Sequence, residues 1–264
     1  MKPFVDSGSI KVYNNDCNKA LSVVGHEGAD LVFADPPFNV GKKYERGERA
    51  FKSDEDYYGW CARWISDAWV MLRPGGSFWL MTIQRHLGEM WKQLARRGTY
   101  RKLIVWKNSS MPIRDNFCTA FQPILYFSKP GGDPVFNYGF ERKMTPVKLT
   151  YGRQTRDGAI TDIWDDIPFL SGGCISSRET IFLPGTNKKA HDCQMPVALA
   201  RRAVGHTTNT GETVVDMFCG SGTVPEACWL LGRNCIAFEK DSEYVGLISE
   251  RMSRLVGQDS LLSV

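Results

Sequence analysis

The sequence predicts an α/β protein with a mostly parallel sheet and helices on both faces, and three observations carry that expectation. Seven short apolar runs recur along the 264 residues and rarely alternate with polar ones, as strands covered on both faces do. Segments with helical start and stop signals lie between several of them. One run leads directly into a glycine loop and a further helix, the arrangement of a nucleotide-binding crossover.

In order, the runs are "KVYN" (11–14), "ADLVFA" (29–34), "GSFWLM" (76–81), "KLIVW" (102–106), "PILYFS" (123–128), "TVVDMF" (213–218) and "NCIAFE" (234–239). The clearest helix is "SDEDYYGWCARWISDAWVMLRPGG", with Ser53 or Asp54 as cap and Pro74-Gly75-Gly76 as stop. "VPEACWLLG" forms a second, with Pro225 in its first turn. From about 131 to 190 the texture changes to Gly, Pro, Thr and Arg with broken apolar runs, which reads as an inserted lobe or a set of loops. The expected organisation is therefore 1–130, an insert at 131–190, and 191–264.

Composition bounds the function. With 42% apolar and 12% aromatic residues the chain can bury a sizeable core without staples. A net charge of +4 and a pI near 8.6 permit a polyanionic partner without requiring one. The eight cysteines contain no CxxC pair and no zinc spacing with histidine, so no metal is expected. The N-terminus lacks the apolar core of a signal peptide, and no apolar run approaches the roughly 18 residues that span a bilayer. A cytoplasmic protein with reduced thiols, mostly packed in the core, is the expectation.

Two motifs carry chemistry. In "TVVDMFCGSGT", Gly220 and Gly222 let backbone pass close under a ligand, and the following helix offers free N–H groups. The next strand ends in Glu239, where an α/β nucleotide site places an acid for two ribose hydroxyls. No GxxxxGK[ST] occurs, which disfavours a phosphate-cradling loop. The second motif is "ADPPFNVGKKY" (34–44): an acid at a strand end, two stiff prolines, an aromatic ring and a basic cluster. Taken alone, it also fits a plain turn with Phe38 in the core.

"DPPF" at 35–38 together with "DMFCGSGT" at 216–223 resembles the S-adenosylmethionine-dependent DNA amino-methyltransferases. With the catalytic motif first and the cofactor loop last, the order resembles their β class. "NNDCNKAL", "LRPGGSFWLM", "FQPILYFSK" and "DIWDDIP" followed by "HDCQMPVAL" extend the resemblance over nearly the whole chain, least well at 131–190. It implies a Rossmann-like, seven-stranded sheet in circularly permuted motif order, with residues 131–190 as the target-recognition insert.

The same resemblance assigns cofactor contacts to Asp16, Cys17, Asp35, Gln194, Pro196, Asp216, Phe218, Cys219, Gly220, Ser221, Gly222, Thr223, Glu239 and Lys240. One departure stands out: where the family carries His-x-Thr-Gln-Lys-Pro, this chain has His191-Asp192-Cys193-Gln194-Met195-Pro196. The missing lysine leaves the cofactor carboxylate to Gln194 and backbone N–H groups, or to Lys188 and Lys189.

The implied chemistry explains the acid and the prolines. An exocyclic amine is a poor nucleophile while its lone pair is delocalised into the base. The Asp35 carboxylate accepting one N–H and the Pro36 carbonyl accepting the other would draw it out of conjugation. Pro36 and Pro37 stiffen the loop, and Phe38 stacks on a base taken out of the duplex. Lys42, Lys43 and Arg46 directly after Phe38 form a candidate phosphate track, and Arg153 and Arg156 are the candidate DNA contacts of the insert. A second basic stretch, Arg85 to Lys102, has six Lys/Arg against Glu89 alone and reads equally as a DNA track or a solvated face.

The expected activity is N6-adenine methylation of duplex DNA by base flipping. Asp at the first motif position leans toward adenine in the family, where Ser leans toward cytosine. N4-cytosine methylation, a module that has lost catalysis, and an RNA or protein substrate remain open. No Pro-Cys dipeptide is present for ring-carbon methylation, and Cys219 reads as a packing residue. Several members of the family form dimers, and the resemblance extends that expectation to this chain.

Overall fold

A computed structural model describes residues 1–40, 51–111, 116–141, 160–168, 170, 181 and 194–262. Nine strands, β1 (Val5–Asp6), β2 (Ile10–Asn14), β3 (Ala29–Ala34), β4 (Leu72–Met81), β5 (Thr99–Met111), β6 (Thr119–Ser128), β7 (Ile163–Trp164), β8 (Thr213–Asp216) and β9 (Asn234–Glu239), form one sheet among the described residues. Their order is β1-β2-β9-β8-β3-β4-β6-β5-β7. The β2–β9–β8–β3–β4 block is parallel throughout, while β6 runs antiparallel to both β4 and β5. The seven expected strands are present. The two additional ones are two-residue edge pieces, too short to leave a periodic signal in the sequence.

The strands fail to alternate because each face has its own core. Leu31, Phe33 and Val214 pack with residues of α4 (Val197–Thr207), α5 (Thr223–Leu231) and α6 (Ser242–Leu262), among them Leu199, Ala227 and Ile248. The intervening Val32, Ala34 and Val215 pack on the opposite face with α1 (Ala20–Val24), α2 (Asp54–Met71) and α3 (Leu87–Ala95), through Ala20, Trp64, Ala68 and Leu94. Both side-chain rows of β3 are thereby removed from water.

The local signals of α2 work as its sequence implies. Ser53 Oγ accepts from the Asp56 N–H at 3.1 Å, and Asp54, Glu55 and Asp56 place negative charge in the first turn. The helix stops at Met71, before Pro74-Gly75-Gly76, because Leu72 already pairs with Ala29 in the sheet. Gly75, at φ +77°, instead serves a close approach: a Cβ there would lie 2.5 Å from the Asp133 carbonyl.

Described parts of the 131–190 segment dock on the body. Asn137 Nδ2 donates to the carbonyls of Gly205 and Thr208, and β7 joins β5. Arg202 on α4 binds Glu141 at 2.7 Å and grips Asp166 with two bonds of 2.9 and 2.8 Å. Arg153 and Arg156 lie outside the described residues, as do Lys42, Lys43 and Arg46. Several cations of the second basic stretch have partners within the chain. Arg97 bonds Ser66, and Arg101 bonds Ser128 at the end of the sheet remote from Asp35, while Lys102 faces Asp162.

Candidate active site

Strand register collects the motif residues at one edge. Phe33 pairs with Asp216, Asp216 with Ala237, and Asn14 with Glu239. Counting along the strands puts Asp35, Phe218 and Glu239 at one level beyond the carboxyl ends of β3, β8 and β9. Asp35 and Glu239 are then two strand spacings apart, about 10 Å. This is the edge where open parallel sheets bind ligands.

A cavity of about 340 Å³ opens there, within the size range of small-ligand sites. Asp16, Cys17, Asp35, Pro36, Pro37, Phe38, Asp216, Phe218, Cys219, Gly220, Ser221, Thr223, Glu239 and Lys240 all line it. Gln194, Pro196 and Gly222 do not. Gln194 is buried and its Oε1 accepts from the Ile181 N–H at 3.1 Å, Pro196 caps α4, and Gly222 turns the chain into α5 at φ +83° against Ile248. His191, Asp192, Cys193, Lys188 and Lys189 lie outside the described residues, whereas Met195, in the missing lysine's place, lines the cavity.

Backbone N–H groups hold the acids. Glu239 accepts from Gly220 N–H at 2.7 Å and from Asp241 N–H at 2.8 Å, tying the glycine loop to the end of β9. Asp216 accepts from Phe218 N–H at 3.1 Å. Asp16 caps the turn after β2 by accepting from Asn18 N–H at 2.9 Å. Burial pushes the carboxyls of Asp35, Asp216 and Glu239 up to about 7, 8 and 7. Burial likewise raises the thiols of Cys17 and Cys219, which suits packing rather than nucleophilic attack. Five of the six described cysteines are buried and Cys118 is exposed. Among the described residues no group of His, Cys, Asp and Glu is placed to hold a metal, and no helix is long and apolar enough to cross a membrane.

The loop carrying the prolines is anchored to α2. Asn39 Nδ2 donates to Asp54 Oδ1 at 3.1 Å, and Arg85 binds the other oxygen of Asp54 at 2.6 Å. Phe38 packs against the core on one side and borders the cavity on the other.

Four contributors left no distinct sequence signal. Trp60, spaced from Tyr57 and Trp64 as a helical core stripe, also lines the cavity, 5.6 Å from the Phe218 ring centre. Phe51 and Tyr244 complete its aromatic wall. Arg251 on α6 reaches beneath the glycine loop, donating to the Ser221 carbonyl at 2.8 Å and pairing with Glu226 of α5.

Comparison with known proteins follows the same map. The family model described as DNA methylase (N6_N4_Mtase) matches residues 29–250. Type II methyltransferase M.BamHI of Bacillus amyloliquefaciens is 28% identical over 97% of this chain, and the chain spans 64% of that protein's length. The DNA adenine methyltransferase YhdJ of Escherichia coli K12 is 26% identical, over 91% of this chain and 82% of its own. Among solved structures, PvuII DNA methyltransferase (cytosine-N4-specific) shares the fold with a TM-score of 0.68 at 19% identity, covering 94% of this chain and 88% of that one. The M1.HpyAVI–SAM complex does so at 0.58 and 22%, covering 92% and 99%. The matched span runs from the first residue of β3 into α6 and takes in the ends of β3, β8 and β9 around the cavity, so this chain belongs to the DNA methylase family.

Proposed function

We propose that this protein methylates the exocyclic N6 of adenine in a specific duplex DNA sequence, using S-adenosylmethionine. The observation that carries this reading is the common level of Asp35, the glycine loop and Glu239 on one cavity. The cavity suits that cofactor. Three carboxyls border it, Asp216 buried and Asp35 and Glu239 half-buried, and the backbone N–H bonds of Asp216 and Glu239 bring no counter-charge, which favours a cation; Trp60, Phe218 and Phe238 offer flat apolar surface. Glu239 keeps lone pairs for hydroxyl donors beyond its two backbone bonds.

S-adenosylmethionine supplies an electrophilic methyl on a positively charged sulfur. Asp35, once ionised, accepts one N–H of the target amine while the Pro36 carbonyl accepts the other, which localises the nitrogen lone pair for attack. As the N–C bond forms, the C–S bond breaks onto sulfur and the amine is left with one proton too many. Asp35, with its carboxyl lifted to about 7, is matched to take that proton. Phe38 holds the base by stacking, worth roughly 1–3 kcal/mol, comparable to the cost of flipping.

YhdJ, an adenine methyltransferase by name, and the Asp of "DPPF" support adenine over cytosine. The test is incubation with labelled cofactor and mixed DNA, RNA and protein, followed by nucleoside mass spectrometry. N6-methyladenine in DNA is expected; N4-methylcytosine would overturn the base assignment, and label confined to RNA or protein would overturn the substrate.

A further inference from the structure

We propose that Phe117, at the tip of the β5–β6 hairpin, is a wedge that enters the base stack of duplex DNA and fills the gap left by the flipped base. The inference rests on the base-flipping reading above.

An exposed phenylalanine signifies little by itself; the position of this one decides its meaning. Phe117 is 94% exposed and its N–H bonds the Asn116 side chain. Its described sequence neighbours Asn116, Cys118 and Thr119 are small or polar. The hairpin is longer than the sheet it belongs to. Ile124 of β6 pairs with Met81, the last residue of β4, yet β6 begins at Thr119 and there pairs with Met111.

Five residues of ribbon therefore run on past β4, roughly 17 Å at strand rise; β7 flanks the first two, opposite Pro123 and Gln122, and the last three have no further strand beside them among the described residues. They do so at the catalytic edge. Ala34 pairs with Leu80, so Asp35 lies level with Met81, where the overhang begins. A duplex whose target base reaches Asp35 keeps its remaining stack a nucleotide's length above that carboxyl, on the side toward which the ribbon projects. Exposed Lys107, opposite Phe121 on the ribbon, suits phosphate. Phenylalanine is among the side chains that wedge between base steps.

An abasic site separates this role from that of Phe38. It leaves the gap in the stack but removes the base that would enter the cavity. On the target sequence mapped from DNA methylated in cells, Phe117→Ala should bind both the intact and the abasic duplex about tenfold more weakly or worse, the scale of a lost stacking contact. Phe38→Ala should lose affinity for the intact duplex alone, and Phe117→Trp should restore binding. Duplex should also shield the exposed Cys118 thiol from alkylation, read by peptide mass spectrometry on the wild-type protein.

Unchanged binding by Phe117→Ala, a loss confined to the intact duplex, or equal alkylation with and without DNA overturns the wedge. So does a loss that tracks dissociation of a dimer in sedimentation, which would make the tip a contact between copies. If the wild-type protein methylates no DNA, the base-flipping reading itself has failed; if it methylates and only these results disagree, the wedge alone has failed.

Discussion

The acid-lined cavity should discriminate a sulfonium from a neutral sulfur by pH. Burial lifts Asp35, Asp216 and Glu239 to about 7, 8 and 7, above the ordinary carboxylate value near 4. Between about pH 4 and 8 the folded protein thus holds protons that the unfolded chain has released, and these groups make the empty protein less stable as pH rises through that window. A cation in the cavity favours the ionised acids and expels protons, so its affinity rises with pH over the same interval. At roughly 6 Å and an effective dielectric near 20, one charge pair is worth about 3 kcal/mol, or about two pKa units. Going from about pH 5.5 to about pH 8.5 should therefore tighten S-adenosylmethionine ten- to hundredfold. S-adenosylhomocysteine, which lacks the sulfur charge, should change little. Trp60 borders the cavity, so quenching of tryptophan fluorescence can report both titrations. Parallel pH profiles for the two ligands would refute the argument.

Other consequences are sharper at single residues. Asp35→Ala should abolish methyl transfer while cofactor affinity, measured by calorimetry, changes far less; equal loss of both would make Asp35 a cofactor ligand rather than the group that activates the amine. Phe38→Ala should weaken an intact duplex more than one carrying a mismatched target base, where flipping is already cheap, and equal effects would sink the stacking role. Arg251→Met leaves Glu226 and the Ser221 carbonyl without their guanidinium, which should cost about 3 kcal/mol in urea unfolding. An unaltered midpoint would show that α6 does not hold the glycine loop.

Which parts were legible in the sequence follows from the range over which each signal acts. "ADPPF" and "CGSGT" are readable because the chemistry and the backbone turn are local: an acid at a strand end, rigid prolines, glycines at positive φ. The partnership of β2 with β9 followed from motif order, and Asn14 opposite Glu239 agrees with it. Trp60 was hidden because a helix stripe that packs and a helix stripe that borders a cavity share one periodicity. Arg251 with Glu226 could not be read, since nothing in either local pattern announces a partner 25 residues away. Gln194 shows the limit of motif position: its place was found, but the Ile181 N–H decides where its side chain points.

The pairing of Asn14 with Glu239 also orders events during synthesis. β3, β4, β5 and β6 can pair as soon as about the first half of the chain has left the ribosome, but β2 has no parallel partner until β9 arrives, after a gap of more than two hundred residues. Meanwhile β3 presents a bare apolar edge awaiting β8, and such edges invite association with other chains. The loop-closure cost of joining β2 to β9 grows slowly with length, but the contact forms late and lowers the folding rate. The glycine loop and Glu239 emerge late, and Tyr244 and Arg251 of α6 follow them to complete the cavity, so a nascent chain cannot be rescued by the small molecule that would stabilise its mature form.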